Sequence, residues 1–186
     1  MTCIAGLVHD GQVYIGGDSA GVGPGWDLTV RADEKVFKNG DFLFGFTTSF
    51  RMGQLLRYVL TPPVPHEAQD VDQFMVGDFV DAVRACLKAG GFATKDKEQE
   101  GGGTFLVGYR GRLYVIHEDY QVARPVDAYA AVGAGNSFAL GSLFSSEGGA
   151  PGERVRTALS AAEAHSAGVR GPFLILSTTA LSTGNQ

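Results

Sequence analysis

The sequence predicts an α+β fold in which two antiparallel sheets stack face to face with helices outside each. Three observations carry that expectation. Short apolar segments are joined by tight-turn dipeptides, Asp10-Gly11 and Asn39-Gly40, which favour the positive φ of a two-residue hairpin. Apolar stripes at helical spacing follow the first set of hairpins, and two further helical segments close the second set. The order of hairpins and then a helix pair is thus written twice, and each helix must bury its stripe on a sheet. No composition shift or linker interrupts the chain, so residues 1–186 are expected to form a single domain.

The first eighteen residues, M-T-C-I-A-G-L-V-H-D-G-Q-V-Y-I-G-G-D, read as two strands around Asp10-Gly11. Ile4, Gly6 and Val8 alternate with Cys3, Ala5, Leu7 and His9, so both faces carry apolar groups, as in a sheet interior. The fold-back brings Thr2 and Asp18 to the same end of the pair. That places a hydroxyl beside a carboxylate. If Met1 is removed, Thr2 also carries a free α-amine, whose unperturbed pKa of about 8 lets it accept a proton near neutral pH. A threonine hydroxyl needs such a base to become a nucleophile. Taken alone, Thr2 is as readily the plain start of a strand.

Ser19 to Trp26 is a glycine-rich connection that lacks the Gly-Lys-Ser/Thr ending of a phosphate loop. Residues 28–31 are a short extended piece. Lys35-Val36-Phe37 begins a strand, Asn39-Gly40 turns it, and Phe42 to Thr47 returns. Lys35 on its own reads as a surface lysine. Thr48 and Ser49 start a helix with Met52, Leu55, Leu56 and Leu60 on one face, ended by the prolines at 62–65. A second helix runs from about 71 to 89 and stops at Gly90-Gly91. Lys95 to Gly103 is polar and reads as an exposed loop.

Strands resume at 104–109, 113–117, 120–123 and 129–132. Ala131 to Gly141 passes through a glycine turn into a helix. It is no dinucleotide fingerprint, because Phe138 holds the third glycine position. A last helix spans about 152–167, with Val155, Ala158, Leu159, Ala162 and Ser166 inward. A closing strand covers 173–176, and the tail after Ser177 is expected to be loose.

Composition narrows the function. The net charge of −5 argues against nucleic acid or an anionic membrane as the main partner. No apolar run reaches the roughly 20 residues of a membrane span, and no signal-peptide pattern is present. Two cysteines offer no disulfide framework and fit a cytoplasmic location. The four histidines are scattered, so no metal and no cofactor are expected.

These residues resemble a known family. The chain is similar over nearly its whole length to proteasome β-type subunits, closest to the HslV-type threonine peptidases of the N-terminal nucleophile hydrolase superfamily. The likeness rests on T-C-I-A-G-L-V-H-D-G-Q-V-Y-I-G-G-D at 2–18, E-K-V-F at 34–37 and F-G-F-T-T-S-F at 44–50. A-V-G-A-G-N-S-F-A-L at 131–140 and E-A-H-S-A-G at 163–168 complete it. The resemblance implies a four-layer αββα sandwich. It implies Thr2 as nucleophile and, through its amine, as base. Lys35 would lower the hydroxyl pKa, and Asp18 would hold Lys35. The backbone N–H at Thr48, where the family usually has glycine, would be the oxyanion donor. Glu163 and Ser166 would support the threonine, Glu163 being one methylene longer than the usual aspartate. Val22 would pair with an extended substrate, and Phe46 and Phe50 would line the pocket for its side chain. Ala134 stands where a serine commonly holds the terminal amine, and Phe50 and Arg51 replace small residues.

The expected function is a threonine-type endopeptidase, active on peptide or protein once Met1 is removed. It would assemble as a homo-oligomeric ring of six or seven subunits, possibly doubled. A separate AAA+ ATPase unfoldase is a possible partner, since this chain has no nucleotide motif. The alternatives are a small-molecule amidase or acylase of the same superfamily, and a catalytically inert ring subunit.

Overall fold

The computed structural model describes residues 1–178. In chain order the strands of the first half are β1 (Cys3–His9), β2 (Gln12–Gly17), β3 (Ala20–Val22), β4 (Leu28–Val30), β5 (Val36–Asn39) and β6 (Phe42–Phe46). Then come helices α1 (Phe50–Tyr58), α2 (Val71–Phe74), a π-helical turn (Met75–Phe79) and α3 (Val80–Ala89). The second half holds β7 (Thr94–Asp96), β8 (Gln99–Gly101), β9 (Phe105–Tyr109), β10 (Arg112–Ile116), β11 (Val122–Ala123) and β12 (Tyr129–Gly133). Helices α4 (Asn136–Ser145) and α5 (Pro151–His165) and strand β13 (Leu174–Ser177) complete it.

Two antiparallel sheets dominate. One has the order β12-β1-β2-β13, the other β11-β10-β9-β6-β5. Each therefore combines strands from both halves of the chain. The expected Asp10-Gly11 turn forms, with Asp10 at φ 48° and Gly11 at φ 71°; in the second hairpin Asn39 belongs to β5 and pairs with Phe42, so the turn is Gly40-Asp41, with Gly40 at φ 58°. Strand alternation then distributes the apolar groups. Ile4, Val13 and Ile15 of the first sheet cluster with Val36, Leu43, Leu106 and Leu113 of the second. Cys3, Ala5 and Leu7, on the other face of β1, cluster with Ala139, Leu143, Val155, Ala158, Leu159 and Ala162 of α4 and α5. Phe42, Phe44 and Phe46, on the other face of β6, cluster with Met52, Phe74, Phe79 and Val83 of α1 to α3.

Several expectations are corrected. The helix over 71–89 contains a π turn. Phe74 and Phe79 are both fully buried and lie five residues apart, a spacing that i→i+5 bonding brings onto one face. The polar segment after residue 94 is a hairpin, β7–β8, and not an open loop. Its exposed residues carry no apolar alternation, so its pairing is invisible to pattern reading. Ser19 to Trp26 includes β3, paired with β4. The last helix ends at His165, and Ser166 is extended at φ −123° and ψ 117°. Thr178 is held to β2, its N–H donating to the Val13 carbonyl at 2.9 Å. The rest of the tail expected to be loose lies outside the described residues. Among the described residues no helix is long and apolar enough to cross a membrane.

Candidate active site

The site begins where the first hairpin closes. The Cys3 N–H donates to Asp18 Oδ1 at 3.0 Å, and the Asp18 N–H donates back to the Cys3 carbonyl at 3.3 Å. This exchange fixes Asp18 beside the start of β1, with Thr2 next in line. Gly17 then admits a third segment. A Cβ there would lie 2.7 Å from Ile4 Cδ1 and 2.9 Å from Val36 Cγ2, so only glycine lets the start of β5 pack this closely. That approach delivers Lys35.

Lys35 Nζ donates to Thr2 Oγ1 at 2.8 Å and to Asp18 Oδ1 at 2.8 Å. All three residues are buried, with 5% of Thr2, 2% of Asp18 and 3% of Lys35 exposed. A buried charge is tolerable only when paired and hydrogen-bonded. Asp18 meets that condition on both oxygens. Its Oδ2 accepts from the Ala20 N–H at 2.9 Å and the Arg170 N–H at 3.3 Å. Burial pulls the Lys35 pKa below its ordinary value, while the Asp18 carboxylate opposes that pull. Burial pushes the neighbouring Cys3 thiol up to about 12, reinforced by the Asp18 charge, as fits a packed thiol.

The arrangement has a chemical consequence. The Thr2 hydroxyl oxygen accepts from the ammonium, so its own proton is free to leave toward another base. Positive charge at 2.8 Å favours the alkoxide that results.

Thr48 sits at φ 63°, the left-handed region that β-branched residues rarely occupy. The turn is held by Thr47, whose N–H and Oγ1 both donate to the Thr104 carbonyl, and by the Thr104 N–H donating to Thr48 Oγ1. Thr48 is exposed, and among the described residues its N–H has no acceptor. Ser49, and not Thr48, caps α1.

With this geometry in hand, comparison with known proteins decides the fold. No protein-family model matches the chain, and no curated protein matches it. Solved structures do. BPH from Thiobacillus denitrificans, including its complex with epoxomicin, aligns with a TM-score of 0.78 over 97% of this chain and 100% of its own, at 17% identity. HslV from Trypanosoma brucei aligns with a TM-score of 0.66 over 95% and 98%, at 16% identity. Anbu from Hyphomicrobium sp. strain MC1, as a Gly-1 mutant, aligns with a TM-score of 0.65 over 94% and 80%, at 12% identity. The chain has the proteasome β/HslV-type fold.

Within this proteasome-type fold the remaining expected residues fall at different distances from the buried cluster. Phe50, at the start of α1, lies with its ring 5.6 Å from Lys35 Nζ and edge-on to Phe46 at 5.7 Å between centroids. Val22 ends β3, opposite Leu28. Glu163 and Ser166 form no hydrogen bond with Thr2, Asp18 or Lys35. Glu163 Oε1 instead accepts from the Gly171 N–H at 2.9 Å, bracing the turn whose Arg170 N–H reaches Asp18. Ser166 follows α5, its N–H bonded to the Ala162 carbonyl. Ala134 is exposed in the turn before α4. Met1 is 46% exposed and packs on Gly168, in front of Thr2.

Pattern reading overlooked three contributors. The Ala20 and Arg170 amides are backbone donors and carry no side-chain signature. Thr47, which orients the Thr48 turn, was signalled only by the change from apolar to polar residues at T-T-S. Among the described residues no three His, Cys, Asp or Glu side chains are grouped to hold a metal.

Proposed function

We propose that this chain is a threonine-type peptidase subunit, with Thr2 as N-terminal nucleophile once Met1 is removed. One observation carries the reading: a buried ammonium, Lys35 Nζ, stands 2.8 Å from both the Thr2 hydroxyl and the Asp18 carboxylate. The freed α-amine takes the Thr2 proton. Oγ1 attacks the substrate carbonyl, and the Thr48 N–H receives the oxyanion. The α-amine then returns its proton to the leaving amine, which departs as the acyl ester forms. Water, deprotonated by the same amine, attacks the ester; the acyl–Oγ1 bond breaks, Oγ1 takes the proton back from the amine, and the acid is released. Asp18 holds Lys35, and Glu163 acts through the 170–171 turn. We read Ser166 as a support of Thr2 and Val22 as a backbone partner of an extended substrate.

The three core clusters support reading residues 1–178 as one four-layer αββα domain. The bound epoxomicin in the BPH neighbour supports a ligand-accepting site in this fold. By the same likeness we read the working form as a cytoplasmic homo-oligomeric ring of six or seven subunits, single or double, acting on peptide or protein. A separate AAA+ ATPase would unfold its substrates.

The test is direct. Intact mass establishes whether Met1 is lost. Processed protein is then treated with epoxomicin and the adduct mapped. The expected result is a single adduct on Thr2 and no turnover by Thr2→Ala. Turnover of fluorogenic peptides that persists in Thr2→Ala overturns the reading. No adduct and no turnover by processed protein leaves an inert ring subunit.

A second reading is a small-molecule amidase or acylase of the same superfamily. Particle size separates the two. A monomer that hydrolyses small amides supports the amidase.

A further inference from the structure

Thr48 is the centre of a tight turn. The Ser49 N–H donates to the Thr47 carbonyl at 2.7 Å, across a residue at φ 63°. An i→i+2 bond over a positive φ makes this a γ-turn of the rare, strained kind. A threonine is costlier there than a glycine, because its branched Cβ crowds the backbone in the left-handed region. Such a residue persists only where its surroundings over-determine it.

Those surroundings are Thr47 and Thr104. Thr47 is buried, and its N–H and Oγ1 both donate to the Thr104 carbonyl, at 3.1 and 2.7 Å. A hydroxyl carries a single proton. The 3.2 Å contact between Thr47 Oγ1 and Thr48 Oγ1 therefore has a direction: Thr48 donates and Thr47 accepts. Thr48 Oγ1 in turn accepts from the Thr104 N–H at 3.1 Å. The bonds close a ring that runs from the Thr104 N–H through both hydroxyls to the Thr104 carbonyl. Hydrogen bonds chained in this way polarise and strengthen one another. Gly103 lets the two segments come this near. A Cβ there would fall 2.5 Å from Met52 Sδ and 3.1 Å from both Cβ and Oγ1 of Thr48. Thr47 is packed on its methyl side as well, since a Cβ at Gly133 would lie 3.2 Å from Thr47 Cγ2.

We infer that Thr47 is a positioning residue: its hydroxyl ties the strained Thr48 turn to Thr104 and so fixes the Thr48 N–H where the oxyanion forms. Thr47 acts through the backbone and touches no reacting atom. Its two bonds to the Thr104 carbonyl do not involve the Thr48 side chain, so Thr47 holds the turn whatever residue stands at its centre. This role rests on Thr2 being the nucleophile and the Thr48 N–H the oxyanion donor, and it adds what holds that donor in place.

The experiment compares processed, assembled wild type with Thr47→Val and Thr47→Ser on one fluorogenic peptide. Valine keeps the shape and the methyl contact but has no hydroxyl, and serine keeps the hydroxyl. An oxyanion donor works in the transition state, so its misplacement lowers kcat and kcat/KM together and leaves KM alone. Thr47→Val is expected to lose about 10- to 10²-fold in kcat, with KM within about twofold of wild type. Thr47→Ser is expected to keep kcat within about threefold, because it rescues the bond to Thr104. Thermal unfolding checks that each variant folds, and should Thr47→Val not fold, Thr47→Ala is read by the same criteria. Amide exchange needs no variant: in the wild type the Thr104 N–H should exchange at least about tenfold more slowly than in a free chain. Unchanged kcat in Thr47→Val overturns the positioning role alone. So does a loss confined to KM, an equal loss in Thr47→Ser, or a Thr104 amide that exchanges at the free-chain rate. A wild type with no turnover and no Thr2 adduct with epoxomicin overturns the nucleophile reading, and the role of Thr47 with it.

Discussion

The Asp18–Lys35 pair and the two expected residues outside it, Thr48 and Glu163, here called the rim, are built by opposite means. In the pair, every charged group is buried and each carboxylate oxygen accepts from two donors. At the rim, Thr48 is exposed and strained, and Glu163 accepts from the backbone of a turn and lies 3.9 Å from the part-exposed Arg170 guanidinium. The first region depends on which side chains are present. The second depends on where the backbone runs. Substitutions should therefore be costly in the pair and mild at the rim, and each variant below tests that division.

The largest effect is expected for Lys35→Met. It keeps the length of the stem but leaves Asp18 without its cation. Removing one partner of a buried pair costs about 3–5 kcal/mol, and the three remaining N–H donors should hold the loss near the lower end. Turnover should fall by about 10²–10³-fold, as when a preorganised electrostatic partner is lost. Denaturant unfolding and single-turnover kinetics measure the two. A loss of activity below tenfold would mean that the ammonium at 2.8 Å does not assist the hydroxyl.

The same lysine gives a pH signature. Its folded pKa is lowered, chiefly by burial, so over the window between that value and its ordinary 10.5 the unfolded chain binds more protons than the native one. Stability contributed by this group therefore rises with pH across the window. Wild type should gain on Lys35→Met as pH increases toward about 10.4. Asp18→Asn removes the main opposition to burial, so the Lys35 pKa should fall further and the window widen downward. A wild-type advantage that is flat with pH above about 8 would contradict the direction assigned to Lys35.

How much of this was legible in the sequence differs between the regions for a physical reason. The Thr2–Asp18 juxtaposition follows from one hairpin, because Asp10-Gly11 fixes the register locally. Lys35 could not be distinguished from a surface lysine by pattern. What brings it in is the missing Cβ at Gly17, a contact between segments that no periodicity reports. Only the family likeness singled it out. At the rim, helical spacing put Ser166 on the inner face of a helix that in fact ends at His165. The partners of Asp18 at Ala20 and Arg170 are amides, which every residue but proline possesses, so side-chain identity cannot announce them. The layers were legible wherever strands are apolar on both faces, as at Phe42 to Phe46. The β7–β8 hairpin, polar throughout, was not.

A smaller effect is expected at Cys3. With its pKa pushed up to about 12, its thiol should resist alkylation of the native protein at about pH 8. Cys86, half-buried and less displaced, should react first. Mass mapping after a short exposure to iodoacetamide reads the order. Cys3 modified before Cys86 would mean that the floor of the buried cluster opens in solution, and the contrast with the rim would weaken.

The mildest outcomes belong to the rim. Thr48→Gly relieves a left-handed β-branched residue, worth about 1–2 kcal/mol, but removes the Oγ1 acceptor of the Thr104 N–H, worth about 1 kcal/mol. The two nearly cancel, and the backbone N–H remains, so activity should change by less than about threefold. Glu163→Gln should do less still. The amide oxygen can go on accepting from the Gly171 N–H, while the Arg170 guanidinium, 3.9 Å away and half exposed, loses little by losing a surface partner. Equal kcat in Glu163→Gln and wild type would fit a bracing role exerted through the turn. A loss above about tenfold would require the carboxylate charge itself, which would move Glu163 from the backbone-dependent rim into the charge-dependent centre.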